Sequence, residues 1–238
     1  MSSGRGYPYA YTPTQVGRAQ PAMGQITTSS RELRDLSLAF VVLTLDILFV
    51  LLGGAAGLVG LGPPAVVLQF VAVAAAAALT GFVAHEMAHK FSAQRRGYWA
   101  EFRMSPTWLL LSLIVSAFAG FLFAAPGATV IGGMGSREDW GRTALAGPLT
   151  NMGFATAFYA GAVVLIDVGS LTAVVWLLFL AFINGWFATF NLIPFGPLDG
   201  RKVLSWNVGI WIGSIVLGGA LAVLGGIAIY YGILPFNG

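Results

Sequence analysis

Hydrophobic and polar positions in this chain are segregated into long blocks instead of alternating residue by residue. From Leu36 to Leu52 only Ser37, Thr44 and Asp46 are polar, and Gly53 to Pro64, rich in glycine and ending in Pro63-Pro64, then breaks the helix. A second block, Ala65 to Gln94, has ionisable groups only near its end, at His85, Glu86, His89 and Lys90. Thr107 to Ala125, Leu145 to Ile166, Leu171 to Ile193 and Val208 to Leu234 complete the series. At about 20 apolar residues per crossing, the blocks predict an all-α polytopic membrane protein with about six transmembrane helices. Gly97 to Ser105 alternates in character and reads as a short strand or hairpin. Thr107 to Ala125 reads as a span or as a re-entrant pair of short pieces, so re-entrant or strand-like segments are expected after the second block.

The first 30 residues are rich in Tyr, Pro, Gly, Gln, Thr and Ser, contain no acidic residue and show no apolar period. Such a segment buries too little surface to order itself, and with the charged step Arg31 to Asp35 it makes residues 1–35 a disordered polar tail. Ser30 is the expected N-cap of the first helix, and residues 36–238 form the membrane domain. Basic residues cluster in the tail, after the second block, at Arg137 and Arg142, and at Arg201-Lys202. The positive-inside rule puts all four clusters on the cytoplasmic side, which favours the re-entrant reading of Thr107 to Ala125.

Composition narrows the chemistry. The chain is 57% hydrophobic and 9% charged, with a mean hydropathy of +0.81. Its net charge of +3 flanks the apolar blocks, as lipid-headgroup contact requires, and is no footprint for nucleic acid. The expected partner is the bilayer. With no cysteine, disulfides, a thiol nucleophile and thiolate zinc sites are excluded, so any metal rests on His, Asp or Glu. Among the other polar and aromatic residues, Asp46 reads as a helix-packing group or part of a water path, and Asn151 as a cap or bridge between helices. Lys90 is expected to snorkel to headgroups, and Trp99, Trp108, Trp140, Trp206, Tyr230 and Tyr231 read as interfacial anchors.

The pentapeptide His85-Glu86-Met87-Ala88-His89 places two imidazoles on one helix face, where they can bind the same ion. Glu86 is then placed to take a proton from a metal-activated water and to return it to a leaving amine. These are the only two histidines of the chain, and it has only four glutamates. A shuffled chain would give this arrangement roughly once in several thousand trials. A catalytic zinc needs a third protein ligand. The candidates are Asp46, Glu101, Glu138, Asp139, Asp167 and Asp199, among which Asp199 stands out. It ends Asn191-Leu192-Ile193-Pro194-Phe195-Gly196-Pro197-Leu198-Asp199-Gly200, an irregular stretch on the face assigned to the histidines. Asp167, at a tight turn on the opposite face, reads as a solvated helix end.

Three motifs together resemble the site-2 protease family of intramembrane zinc metalloproteases: His85-Glu86-x-x-His89, Ala146-Gly147-Pro148-Leu149-Thr150-Asn151, and Asn191-x-x-Pro194-x-x-Pro197-Leu198-Asp199-Gly200. The resemblance covers about Ala65 to Lys202. It implies one Zn²⁺ per chain on His85, His89 and Asp199, Glu86 as catalytic base, and cleavage of transmembrane protein substrates near the cytoplasmic face. It also favours substrate contact by Asn191, with Pro197 fixing the loop that aims Asp199. Many relatives follow the aspartate motif with a second glycine, where this chain has Arg201. Two other readings stay open at this point. One is a membrane zinc peptidase whose third ligand is Glu101 or Glu138. The other is a transporter or membrane adaptor in which His85, Glu86, His89 and Asp199 carry ions or hold a structural metal.

Overall fold

A computed structural model describes residues 25–122, 126–133, 135–167 and 169–228. The described part is mainly helical. Helix α1, Ser30–Leu51, is capped by Ser29, whose hydroxyl accepts from the Glu32 N–H at 3.2 Å. The cap thus falls one residue before the expected Ser30, which is the first helical residue instead. After a 3₁₀ turn at Ala55–Leu58, Pro64 opens α2, Pro64–Ala78, a position where its missing N–H costs nothing. The helix continues through a π-helical segment, Leu79–Val83, into α3, Ala84–Arg95, which carries both histidines. The last four helices are α5, Arg137–Asp167, α6, Leu171–Asn191, α7, Asp199–Trp206, and α8, Val208–Ala228.

Among the described residues four helical stretches are long and apolar enough to cross a membrane: Pro64–Arg95, Arg137–Asp167, Leu171–Asn191 and Val208–Ile227. This is fewer than the six expected. The first apolar block does form α1, but Arg31, Glu32, Arg34, Asp35 and Asp46 leave it outside that set. The Thr107 block forms α4, Pro106–Ala119, whose 14 residues extend about 21 Å, short of a hydrocarbon core about 30 Å thick. Helix α8 continues through both of its Gly-Gly pairs without a break.

The expected strand is β1, Trp99–Met104, and a glycine-rich stretch after α4 contains its partner β2, Gly127–Gly132. The two pair antiparallel, with Phe102 opposite Thr129, and α4 is carried between them. Opposed residues in such a ladder alternate between bonded and unbonded pairs. The Phe102 and Thr129 N–H groups both turn outward, and each is taken by a glutamate: Phe102 donates to Glu32 Oε1 at 3.0 Å and Thr129 to Glu86 Oε2 at 2.9 Å. The outer edge of β1 is closed further by Gln94, whose Nε2 donates to the Ala100 carbonyl at 2.8 Å. Gly127 and Ile131 turn the same way as Thr129, so the β2 edge faces α3 and the cavity described below.

Residues 1–24 of the polar tail lie outside the described residues, but residues 25–35 are built into the fold. Lys90 does not snorkel: it is 1% exposed, and its Nζ donates to Glu32 Oε2 at 2.6 Å and to Thr28 Oγ1 at 2.8 Å. Thr27 exchanges backbone hydrogen bonds with the Gln94 amide, and Ser29 donates to Glu101 at 3.1 Å. The start of α1 therefore straps the end of α3 to β1. Asp46 has the helix-packing role, fully buried and receiving Ser112 and Ser116 of α4 at 2.8 Å each. Trp99 is buried instead of interfacial, whereas Trp108 is exposed, and Tyr230 and Tyr231 lie outside the described residues. Apolar packing gathers α1, α2, α6 and Phe102 in one cluster, and α5 to α8 in another.

Lys90→Met removes one partner of a buried ion pair and leaves the Glu32 charge stranded, so it is expected to destabilise the fold by about 3–5 kcal/mol. Denaturant unfolding in detergent, followed by tryptophan fluorescence, measures the loss.

Candidate metal centre

The spacing of His85 and His89 in α3 puts both rings on one face, with their Nε2 atoms 3.0 Å apart. Asp199, the first residue of α7, brings Oδ2 to 3.3 Å from His85 Nε2 and 2.9 Å from His89 Nε2. All three side chains are buried. Two glycines make the convergence possible. A Cβ on Gly200 would overlap the Leu192 carbonyl, so only glycine lets the start of α7 lie against the end of α6. A Cβ on Gly147 of α5 would stand 2.5 Å from His89 Nε2 and 2.6 Å from His85 Nε2, against both ligand nitrogens.

Hydrogen bonds fix which ring nitrogens are free. His89 Nδ1 lies 2.7 Å from the Thr143 carbonyl, which only accepts, so Nδ1 carries a proton. His85 Nδ1 meets Asn151 Oδ1. The orientation of that amide is set from the other side, because Asn151 Nδ2 donates to the Gly81 carbonyl at 2.9 Å and to Asn184 Oδ1 at 3.1 Å. Asn184 Nδ2 is in turn committed to the Leu180 carbonyl at 2.9 Å and the Thr80 hydroxyl at 3.0 Å. His85 Nδ1 is therefore the donor to Asn151. In the neutral rings both Nε2 atoms present lone pairs, and these face each other and a carboxylate oxygen in a buried space.

That donor set fits a zinc ion. Tetrahedral ligands at 2.0–2.1 Å stand about 3.3 Å from one another, close to the separations observed, and second partners on both imidazoles are what metal-binding histidines carry. The Lys202 ammonium, 3.0 Å from Asp199 Oδ1, favours the charged form of this buried carboxylate, the form that binds a cation.

Glu86, between the two histidines in sequence, turns to β2: the Thr129 N–H and hydroxyl donate to its Oε2 at 2.9 and 2.7 Å. Its carboxylate opens on a cavity of about 110 Å³, which His85, His89, Asp199, Thr129, Asn191, Pro197 and Lys202 also line. Asn191 is half-buried, with its amide donating to Phe187 O at 2.9 Å, and Pro197 is exposed in the turn before α7. The structure thus brings together every residue singled out for the site.

No family model and no solved structure matches the chain. It is, however, 40% identical over 134 residues to a protein of Methanocaldococcus jannaschii named "Putative zinc metalloprotease MJ0611", an alignment that covers 56% of this chain and 69% of the relative. The chain belongs to that zinc metalloprotease family.

Within this family member the other carboxylate candidates are occupied elsewhere. Glu101 pairs with Arg103 and Ser29, Glu138 with Arg142 at 2.6 Å, and Asp139 accepts from Tyr98 and Ser136 at 2.7 Å each. Asp46 is held by its two serines, and Asp167 is exposed at the end of α5. Among the described residues His85, His89 and Asp199 are the group able to hold a metal. Asn151 does bridge helices, as expected, but its contact with His85 was not legible: a lone Asn in a helix does not announce a partner 66 residues away. Thr129 as the partner of Glu86, and Asn184 behind Asn151, carried no sequence signal either.

Gly147→Ala should bring metal content from about one ion per chain, the stoichiometry of a single catalytic zinc, to background, read by elemental analysis of the purified protein. Asn151→Leu, which strips His85 of its second partner, should weaken zinc binding about 10–100-fold in a chelator competition.

Proposed function

We propose that the protein is an intramembrane zinc metalloprotease of the site-2 protease type, hydrolysing peptide bonds in transmembrane segments of substrate proteins near the cytoplasmic face. The observation that carries this reading is the convergence of His85 Nε2, His89 Nε2 and Asp199 Oδ2 in a buried cavity beside Glu86, in a fold whose α2–α3 helix, α5 and α6 are long and apolar enough to cross a membrane. The family relationship supports the metalloprotease part, and the three motifs and the apolar helices support the intramembrane part. In this reading the protein is an integral multi-pass membrane protein, with its N-terminal tail and the opening of the site on the cytoplasmic side, as the basic clusters indicate.

Zinc on these three ligands would supply an acidified water and polarise the peptide carbonyl. The rest falls to the chain. Glu86, held at Oε2 by Thr129, accepts a proton from the attacking water and returns it to the departing amine nitrogen. A helical substrate hides its carbonyls in its own hydrogen bonds, so the cleaved segment must be held extended. The β2 edge can hold it at Gly127 and Ile131, on either side of the Thr129 N–H that Glu86 takes: both residues border the cavity, whereas the β1 edge is closed by Glu32 and Gln94. Asn191 is close enough to the cavity to donate to the substrate backbone, and Pro197 shapes the turn that delivers Asp199. Apolar helices around the site keep water from reaching it except at one face.

Glu86→Gln keeps the metal ligands and removes the base. It is expected to retain zinc and to lower cleavage by roughly 10²–10⁴-fold. Comparing the membrane-protein fragments in cells carrying the active and the Glu86→Gln forms tests this and identifies substrates. A variant that retains zinc yet leaves the fragment pattern unchanged contradicts the proposal.

A further inference from the structure

Asp199 uses its two oxygens differently. Oδ2 faces both imidazole nitrogens, while Oδ1 receives the Lys202 ammonium at 3.0 Å. Lys202 is three residues on in the first turn of α7, so it shares a helix face with Asp199. Its side chain is one-third exposed and lines the same cavity, whereas the Asp199 side chain is only 9% exposed. This is not a pairing of two solvated groups, whose worth would be small. One partner is a buried carboxylate already committed on one side, and the lysine occupies the oxygen that would otherwise be free to swing toward the same cation. Arg201, the residue in between, is exposed and takes no part in the contact.

We propose that Lys202 is a positioning residue for the metal centre: by engaging Oδ1 it restricts Asp199 to single-oxygen ligation. This rests on the zinc-site reading above and adds a determinant outside the ligand set. Two consequences follow from the chemistry. A carboxylate limited to one oxygen leaves a coordination position free for water and substrate, as catalytic zinc sites require. A carboxylate that shares its charge with an ammonium donates less to the metal, so the centre stays more electrophilic. The residue following Gly200, where many relatives of the resembled family have glycine, is Arg201 here, and the functional contact lies one residue further on.

The cobalt-substituted full-length protein in detergent tests this without relying on activity, because Co²⁺ reports its coordination number in the visible spectrum. The unmodified protein and Lys202→Arg are expected to show intense four-coordinate bands. Lys202→Met is expected to take up cobalt but to show the weaker, shifted bands of a five-coordinate ion, and Lys202→Gln serves as a second neutral variant if the methionine form aggregates. Neutral variants whose spectra superimpose on that of the unmodified protein overturn the proposal, as does a Lys202→Arg spectrum that matches theirs instead. Failure of the unmodified protein to bind cobalt at all overturns the metal-centre reading itself. Loss of proteolysis as a function, tested through Glu86, is read separately and leaves the spectra unaffected.

Discussion

Three lone-pair donors, two imidazole nitrogens and a carboxylate oxygen, face one another across 2.9 to 3.3 Å in a buried pocket. Three lone pairs so close and so buried repel one another unless a positive charge lies among them. A cation resolves the conflict, and much of the surrounding structure acts to keep the donors in place. Thr143 and Asn151 hold the rings by their far nitrogens, and Lys202 occupies the far oxygen of Asp199. Gly147 keeps side-chain atoms off both ligand nitrogens. An irregular part of the backbone serves the same end. The π-helical segment Leu79–Val83 immediately precedes the histidine helix, and its Gly81 carbonyl accepts from Asn151, so an irregularity in the helix becomes part of the ring support.

A second set of contacts positions the base. Glu86 is oriented by β2, β2 by its pairing with β1, and β1 by the strap at the start of α1 through Glu32 and Gln94. Helix α4, too short to cross a bilayer, is inserted between the two strands and fastened to α1 by the Asp46 carboxylate. The buried charges outside the metal centre thus have structural work: Lys90 with Glu32 and Asp46 with its serines tie α1 to the strands and helix that frame the cavity.

What could be read from sequence follows the range of the interactions. His85, Glu86 and His89 are local, since helical periodicity alone puts the two rings together. Asp199 was one of six carboxylates, distinguished by the prolines and glycines around it, and the structure places it on the histidines. Interactions spanning the chain were not legible. Lys90 reads as a headgroup contact because nothing nearby in sequence reveals Glu32, 58 residues away. Asn184 and Thr80 meet across 104 residues. Four candidate crossings, and not about six, are found among the described residues, because apolar composition alone does not separate a span from α4, a short apolar helix, or from α1, which carries charge at its start and Asp46 within. The pairing of β2 was harder to read, because the strand lies in a glycine-rich stretch whose propensity favours loop and its partner lies beyond an inserted helix.

The central claim is that one zinc ion sits on His85, His89 and Asp199. X-ray absorption at the zinc edge of the purified protein reads that coordination directly. The account predicts a shell of nitrogen and oxygen neighbours at about 2.0–2.1 Å, two of them imidazoles, with a total of about four. Absence of zinc, or a shell without the imidazole signature, would contradict it.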